Sequence, residues 1–306
     1  MRNIFVKKFI EEAEKNKEIY FLTGDLGYNS FEIIKEKFPD RFINVGCAEN
    51  NMIGIASGLA LSGKKVFVYS IVPFLVFRSF EQIRNYICHN NLDIKLLGGG
   101  GGFSYGNQGI SHNTYEDLSI MRTLPNMKVY SPGTKNELIK TSDFLFQDNA
   151  PAYIRLGKIP NFDYQEDQIN INKGSKVIEG KKIVIFCIGN IIEEVHKAVI
   201  KLSKKGLSIK LISLVSLKPL VNKDIIDHID ECEYIFTVEE NSIIGGLGSC
   251  LAEVISESDL QHIIFHRIGL SDEVHSEIGS QDYLRKIKGI GHDQISDIID
   301  ERVSKK

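Results

Sequence analysis

The sequence has little of what marks membrane proteins, nucleic-acid binders and disulfide-rich proteins. No apolar run approaches the roughly 20 residues that span a bilayer. The formal net charge is only −3, which argues against a general nucleic-acid binder or a membrane-surface protein. Five cysteines are widely spaced without a CxxC pair, so neither a zinc site nor a disulfide framework is indicated. We therefore expect a protein of the reducing cytoplasm, with no membrane and no nucleic-acid partner.

The chain also lacks internal repeats and low-complexity tracts. It has 306 residues, 42% of them hydrophobic and 25% charged, which is enough for two domains with their own cores. Predicted strands, among them 65–71, 152–156, 183–188, 209–214 and 234–238, alternate with predicted helices, among them 80–89 and 222–231. This pattern indicates parallel sheets with right-handed crossovers. We predict an α/β protein of two doubly wound domains with mainly parallel sheets, at residues 1–162 and 183–306, joined by a polar linker at 163–182.

Residues 41–80 hold the pattern on which the functional interpretation depends. A predicted strand ends at Gly46, and Glu49 lies just before a helix, predicted over 50–61, that is rich in small residues. The next strand is followed by three phenylalanines, Phe74, Phe77 and Phe80. A carboxyl group desolvated beside aromatic rings can hold or share a proton. The structural alternative is a Glu that favours the helix dipole and phenylalanines that belong to the core.

Other candidate residues follow predicted strands, where open α/β sheets place their sites. Asp25 follows a strand predicted over 18–23, although an Asp that caps the next helix would look the same. Residues 98–102 are five consecutive glycines, which suit either a flexible loop or a close approach of backbone to a ligand. No Lys-Ser/Thr follows them, so they are not a P-loop. His112 lies ten residues further on, in a polar loop.

Longer stretches carry a resemblance to a known family. The chain resembles the pyrimidine-binding domain of transketolase in INVGCAENNMIGIASGLALSGKKVFVYS, PFLVFRSFEQIRN and YGNQGISHNTYEDLSIMRTLPNMKVYSPG, and the C-terminal domain of transketolase in TVEENSIIGGLGS and HRIGLSDEVHSEIGS. These stretches keep the family's order and cover nearly the whole chain. The resemblance implies a thiamine diphosphate-dependent transferase of carbohydrate metabolism, which moves a two-carbon ketol unit between sugars.

The resemblance assigns roles to the residues singled out above. It implies two catalytic residues: Glu49, whose carboxylate hydrogen-bonds N1′ of the cofactor's pyrimidine, and His112, which contacts the substrate. The implied cofactor pocket comprises Glu49, Phe74, Phe77, Phe80 and Asp25, with Phe77 stacked on the pyrimidine. The implied substrate contacts are His112, Gln108, and Arg155 or Lys158 in YIRLGK.

The family's diphosphate anchor is missing, because the chain contains no Gly-Asp-Gly. We therefore expect no metal ligand here, and the resemblance places the Mg²⁺ ligands on a separate polypeptide, the N-terminal section of a split transketolase. The two chains would form a heterotetramer with two cofactors at subunit interfaces. Symmetric assembly then implies that this chain also associates with a second copy of itself.

The residues that bind the acceptor's phosphate in the family also differ in this chain. The family's His falls among the glycines at 98–102, and Arg2 matches an early Arg by spacing only. In addition, Gln108 stands where the family has an acidic partner for the donor's hydroxyl. We therefore expect an acceptor other than the usual sugar phosphate. Three alternatives stay open: a subunit like deoxyxylulose-phosphate synthase, which the run Glu239–Asn241 resembles, a dehydrogenase E1 β-like subunit, and a non-catalytic partner subunit.

Overall fold

A computed structural model describes residues 1–229, 232–260 and 263–305. Alternating strands and helices build two sheets, which are parallel except for one antiparallel edge strand in each. This architecture confirms the predicted α/β fold with two doubly wound, mainly parallel sheets. No helix in the described ranges is both long enough and apolar enough to cross a membrane.

The first half of the chain contains α1 (Arg2–Lys15), β1 (Ile19–Thr23), α2 (Glu32–Lys37), β2 (Phe42–Asn44), α3 (Glu49–Leu61), β3 (Lys65–Ile71), α4 (Val72–Val76), α5 (Phe80–Gln82), β4 (Ile94–Gly99), α6 (Asp117–Arg122), β5 (Lys128–Tyr130), α7 (Lys135–Gln147) and β6 (Ala152–Leu156). The second half contains β7 (Ser175–Ile178), β8 (Ile183–Ile188), α8 (Ile192–Ser203), β9 (Ile209–Leu214), β10 (Ser216–Lys218), α9 (Asn222–Ile226), β11 (Tyr234–Ser242), α10 (Leu247–Ser256), β12 (Ile264–Leu270), α11 (Gln281–Ile287) and α12 (His292–Ser304).

The first sheet has the strand order β10-β5-β6-β4-β3-β1-β2, and the second has the order β12-β11-β8-β9-β7. Strand β10 follows β9 of the second sheet but pairs with β5, so the second half of the chain completes the first sheet. Buried side chains of α6 and α10 belong to one continuous apolar cluster. The two sheets therefore share a core, and burial of that apolar surface holds them together.

The carboxyl ends of the parallel strands meet at one edge of the first sheet, and the segments that follow them carry the candidate residues. Asp25 follows β1, Glu49 follows β2 and Phe74 follows β3. The glycines at 98–102 begin at the end of β4, and Lys158 follows β6. Topology alone therefore gathers side chains that are far apart in the sequence.

The structure differs from the sequence-based elements in a few places. The segment predicted as a linker contains β7, an edge strand held by antiparallel pairing with β9. Strand β11 is longer than expected and includes Glu239–Asn241. Beyond α5 the chain is π-helical over Ile83–Cys88, within the helix predicted over 80–89. Glu231, the predicted end of a helix, and Lys306, the predicted end of the second domain, lie outside the described residues.

Candidate active site

Glu49 is the first residue of α3 and is only 4% exposed. Its carboxylate accepts hydrogen bonds from the Ser70 hydroxyl and from the Arg78 guanidinium, each at 3.2 Å. Arg78 is itself half exposed, and Gly24 lies against the carboxylate, where a Cβ would be 3.5 Å from Oε1. The helix N-terminus also favours a negative charge there. A buried carboxylate is thus held at the sheet edge by a hydroxyl and by a half-exposed cation.

Aromatic contacts connect this carboxylate to the histidine loop. The Arg78 guanidinium lies over the Phe74 ring, with its Cζ 4.0 Å from the ring centroid. Phe74 makes an edge contact with His112 at 5.2 Å between centroids, and Tyr105 contacts His112 at 6.3 Å. The structure therefore brings Glu49, Phe74 and His112 together, as expected of residues that surround one ligand.

The other two phenylalanines are placed differently from each other. The Phe77 side chain is 43% exposed and lines a cavity of about 500 Å³ with Ile110 and Val274. Phe80 is half-buried and packs against the main apolar cluster. An exposed ring can stack on a planar ligand, whereas a ring already packed in the core supports the wall behind it.

Asp25 lies at the same edge in a left-handed backbone conformation, with φ of +57°. Asn44, the last residue of β2, holds it twice, because its amide oxygen accepts from the Asp25 N–H at 3.0 Å and its amide nitrogen donates to Oδ1 at 2.9 Å. The Tyr28 hydroxyl donates to Oδ2 at 3.3 Å. Asp tolerates this conformation better than most residues. The carboxylate is therefore oriented and remains exposed.

The glycines at 98–102 leave room for tyrosine rings. A Cβ at Gly99 would overlap the Tyr69 hydroxyl, and a Cβ at Gly100, which has φ of +93°, would overlap the Tyr105 ring. These glycines and tyrosines line a second cavity of about 320 Å³. The run thus favours close packing of rings against backbone over a flexible loop.

This second cavity also has cationic and hydroxyl groups. Arg2 and Lys158 line it, and the Arg2 Nε donates to the Ser30 hydroxyl at 2.8 Å. Ser104 is buried in the wall, and its hydroxyl has no hydrogen-bond partner among the described residues. Burial raises the pKa of Tyr69 to about 12, so its phenol remains a neutral hydrogen-bond donor at neutral pH. Cations and neutral donors around one cavity favour an anionic ligand.

Arg155 corrects one expectation, because it does not line this cavity. Its guanidinium is buried and donates to the Asp117 carboxylate, to the Glu240 carbonyl at 2.9 Å and to the Asn241 amide oxygen at 3.0 Å. These internal partners occupy its donors, so we withdraw Arg155 as a substrate contact and keep Lys158. Gln108 is exposed on the histidine loop.

Several residues of the site carried no sequence signal that we used. Tyr69, Ser70 and Ser104 lie in predicted strands or loops, and only the fold brings Tyr69 and Ser104 to the cavity wall and Ser70 to Glu49. Among the described residues no group of three or more His, Cys, Asp or Glu side chains is arranged to hold a metal ion. All five cysteines are free thiols.

Comparison with known proteins places these features in a family. The family models for the transketolase pyrimidine binding domain and the transketolase C-terminal domain match residues 1–160 and 172–295. The chain is 34% identical to an apulose-4-phosphate transketolase subunit of Actinobacillus succinogenes, over 97% of this chain and 96% of that protein. It is 31% identical to a 6-deoxy-6-sulfo-D-fructose transketolase subunit of Clostridium sp., over 95% of this chain and 90% of that one.

Two solved structures and one longer relative complete the comparison. A split gene transketolase, solved as an inactive beta4 tetramer, superposes with a TM-score of 0.88 at 30% identity, covering 98% of this chain and 97% of that one. Transketolase from Campylobacter jejuni shares the fold, with a TM-score of 0.77 at 16% identity over 97% of this chain and 46% of that one. The 1-deoxy-D-xylulose-5-phosphate synthase of Halothermothrix orenii is 30% identical, over 98% of this chain but 48% of that protein.

Proposed function

The chain belongs to the transketolase family, and we propose that it is the subunit of a split, thiamine diphosphate-dependent transketolase that carries the pyrimidine-binding and C-terminal domains. The enzyme would transfer a two-carbon ketol unit between sugars. The observation that carries this proposal is the buried Glu49 carboxylate at the sheet edge, connected through Arg78 and Phe74 to His112.

The residues present fit the pyrimidine end of thiamine diphosphate, which supplies the carbanion chemistry when bound. We propose that Glu49 hydrogen-bonds the ring nitrogen and exchanges a proton with it, while Ser70 and Arg78 orient the carboxylate. Phe77 offers an exposed ring for stacking, and Phe74 lies nearer to the histidine. Phe80 and the oriented Asp25 carboxylate would complete the pocket wall.

We propose that the diphosphate and Mg²⁺ are held by a separate N-terminal section. The support is the absence of a Gly-Asp-Gly sequence from the chain. Two relatives of nearly equal length are named as transketolase subunits, which fits the same division of labour. The chain spans only 48% of the longer deoxyxylulose-phosphate synthase that it matches, and that activity is the second candidate.

We propose that the substrate carries a terminal anionic group. The cavity lined by Arg2 and Lys158 supports this, because it presents two cations and, among the described residues, has the unpartnered Ser104 hydroxyl in its wall. The names of two relatives specify a sugar phosphate and a sulfo sugar, both of which carry an anionic group. His112 and Gln108, on the neighbouring loop, would contact the hydroxyl groups of the sugar.

We propose a heterotetramer of two such chains and two N-terminal sections. The related split gene transketolase is described as an inactive beta4 tetramer, so self-association of that protein alone does not suffice for activity. The five free thiols are consistent with a reducing compartment, and we propose the cytoplasm.

Calorimetric titration of thiamine diphosphate with Mg²⁺ tests the cofactor proposal. We expect no heat with this chain alone and saturable binding once its N-terminal section is added. The complex should then decarboxylate β-hydroxypyruvate and transfer the two-carbon unit to a sugar acceptor. Micromolar binding to the chain alone would contradict the proposed division of the cofactor site, and turnover of pyruvate instead would favour the synthase alternative.

A further inference from the structure

Two adjacent glutamates near the end of β11, Glu239 and Glu240, are both buried. The Glu239 carboxylate bonds to groups of the second half of the chain, whereas the Glu240 carboxylate also bonds to the first half. Glu239 accepts from the backbone N–H groups of Leu247 and Gly248 at 2.7 and 2.8 Å, at the start of α10. Glu240 instead accepts from the backbone N–H of Phe103 at 2.5 Å. Phe103 directly follows the glycine run of the first sheet, so the Glu240 carboxylate crosses between the two sheets.

Glu240 is itself held rigidly by α11. The Gln281 amide donates to both carboxylate oxygens at 3.0 Å, and the Arg285 Nε donates to Oε2 at 2.6 Å. The second Arg285 donor also contacts Oε2. A carboxylate with this many charge-assisted partners has one defined orientation.

The first sheet is shaped to receive this carboxylate. Gly102 has φ of +56°, and a Cβ there would overlap the Glu240 carboxylate. A Cβ at Gly101 would overlap the Arg155 side chain, whose guanidinium donates to the Glu240 carbonyl at 2.9 Å. Glu240 contacts Gly102, and its hydrogen-bond partner Arg155 contacts Gly101. A side chain at either position would collide with these groups, which explains why both residues are glycine.

The contact lies at the base of the loop that carries the proposed substrate residues. The loop at 103–113 is closed by a bridge between Gly102 and Thr114, whose backbones exchange hydrogen bonds at 2.5 and 3.1 Å. Ser104 and His112 lie within this loop. The Glu240 bond to the Phe103 N–H is made at the first residue of the loop, next to the bridge.

We propose that Glu240 is a positioning residue that fixes the 103–113 loop through the Phe103 N–H, so that the second domain sets the geometry of the substrate site. Glu240 acts through the loop backbone and does not touch the reacting atoms. The importance of this loop for catalysis rests on the proposed function, but the mechanical coupling does not, and the two are tested separately.

Hydrogen–deuterium exchange on the full-length chain tests the coupling. Glu240→Ala removes the acceptor, and we expect exchange in residues 103–113 to accelerate about tenfold or more. Glu240→Gln retains an amide oxygen for the Phe103 N–H but loses the charge that pairs with Arg285, so it should lower the melting temperature yet keep the loop protected. Equal exchange in the loop for Ala and Gln would overturn the proposal.

Glu239→Ala is the matched control, because it removes a buried carboxylate one residue away that bonds only within the second domain. We expect Glu239→Ala to accelerate exchange at the start of α10 and to leave exchange in the 103–113 loop unchanged. Acceleration of the loop to the same extent by both alanine variants would show general destabilisation and refute the specific contact.

Gln281→Leu provides a second test if Glu240→Ala does not fold. It removes one donor to the Glu240 carboxylate without leaving a buried charge unpaired, so loop exchange should rise a few-fold. Unchanged loop exchange in a folded Gln281→Leu protein, alongside a non-folding Glu240→Ala, would refute the coupling.

The complex with the N-terminal section adds a kinetic readout. We expect Glu240→Ala to raise the KM for the acceptor sugar about tenfold while the affinity for thiamine diphosphate stays within about twofold. If the wild-type complex transfers no ketol unit but the exchange pattern appears, the proposed function fails and the coupling remains. If transfer is normal in Glu240→Ala and the loop stays protected, the coupling fails and the function remains.

Discussion

The two halves of the molecule each place a buried glutamate beside the N-terminus of a helix. In the second half, Glu239 accepts two backbone N–H groups of α10, and both oxygens are used. In the first half, Glu49 begins α3, but its carboxylate is held by the Ser70 hydroxyl and the half-exposed Arg78. Each oxygen of both carboxylates accepts one hydrogen bond, but Glu239 is bonded to backbone N–H groups, whereas Glu49 is bonded to two side chains, one of which is half exposed.

This difference distinguishes carboxylates that stabilise the fold from a carboxylate that is placed to react with a ligand. A buried carboxylate whose oxygens are bonded to groups of the surrounding fold contributes to stability. Glu137 is a second example, with backbone N–H donors from Gly133 and Thr134 and hydroxyl donors from Tyr164 and Ser213. Of these three, Glu49 is the one that combines burial with a half-exposed cationic partner, which supports the proposed proton exchange.

The largest effect should come from removing the Glu49 carboxylate. We expect Glu49→Gln to reduce kcat of the reconstituted complex by about 10² to 10⁴, the range for loss of a general acid–base group, with little change in unfolding free energy. Glu239→Gln should show the opposite pattern, with kcat within a few-fold of wild type. Steady-state kinetics and urea unfolding of both variants measure this, and equal kcat losses would remove the distinction between the two glutamates.

The cationic cavity should give the next largest effect. Lys158→Gln removes a charge that lines the cavity, and charge-assisted bonds are worth about 1.5–3 kcal/mol, so KM for an anionic acceptor should rise about 10- to 100-fold. The KM for the corresponding acceptor sugar without its anionic group should change little. Lys176→Gln, on the edge of the second sheet, is the control. A similar loss for charged and neutral acceptors would argue against an anion site.

The phenylalanines extend the comparison from carboxylates to rings. Phe77→Ala should weaken thiamine diphosphate binding to the complex about tenfold, because a stacked ring contributes about 0.5–1.5 kcal/mol beyond its buried area. Since Phe77 is 43% exposed, the chain should lose little stability. Phe80→Ala should instead cost about 2–3 kcal/mol of unfolding free energy, because Phe80 packs on the core. Calorimetry measures the loss of cofactor binding, and urea unfolding measures the loss of stability. If Phe80→Ala weakened binding and Phe77→Ala weakened stability, Phe80 would be the stacking ring and Phe77 the core ring.

The smallest expected effect is a pH dependence of the unfolding free energy that is caused by Glu239. Burial raises the pKa of Glu239 to about 7, whereas in the unfolded chain it titrates near 4.5. Between these values the folded state binds more protons, so this group makes stability fall as pH rises, by at most about 1.4 kcal/mol per pH unit. Urea unfolding between pH 5 and 8 should show a flatter profile in Glu239→Gln than in wild type. Parallel profiles would show that Glu239 titrates normally.

Most of the fold was predictable from the sequence because it depends on local patterns. The apolar strands β3, β6, β8 and β9 were predicted with their observed bounds, since buried parallel strands are continuous apolar runs. Edge strands β7 and β10 were missed, because each is only three or four residues long and is defined by a pairing partner distant in sequence. Short pairings of this kind leave no periodic signal.

The site was predictable only in part. The resemblance pointed to Glu49, the phenylalanines and His112, and it offered Arg155 or Lys158 as a substrate contact without deciding between them. The burial of Arg155 against Asp117 could not be read from the local sequence. The Ser104 hydroxyl and the Tyr69 phenol were likewise missed, because their availability depends on which partners the fold leaves beside them.

The sequence by itself determined the alternation of strands and helices, the order of the two domains and the residue types available at the strand ends, because these follow from short-range propensity and apolar patterning. Only the tertiary structure decided which donors each of those polar groups meets and how exposed those donors are. Glu239 and Glu240 are neighbours in the sequence, yet one caps a helix and the other crosses to Phe103. Successive residues of a strand point to opposite faces, so the packing on each face decides what each carboxylate does.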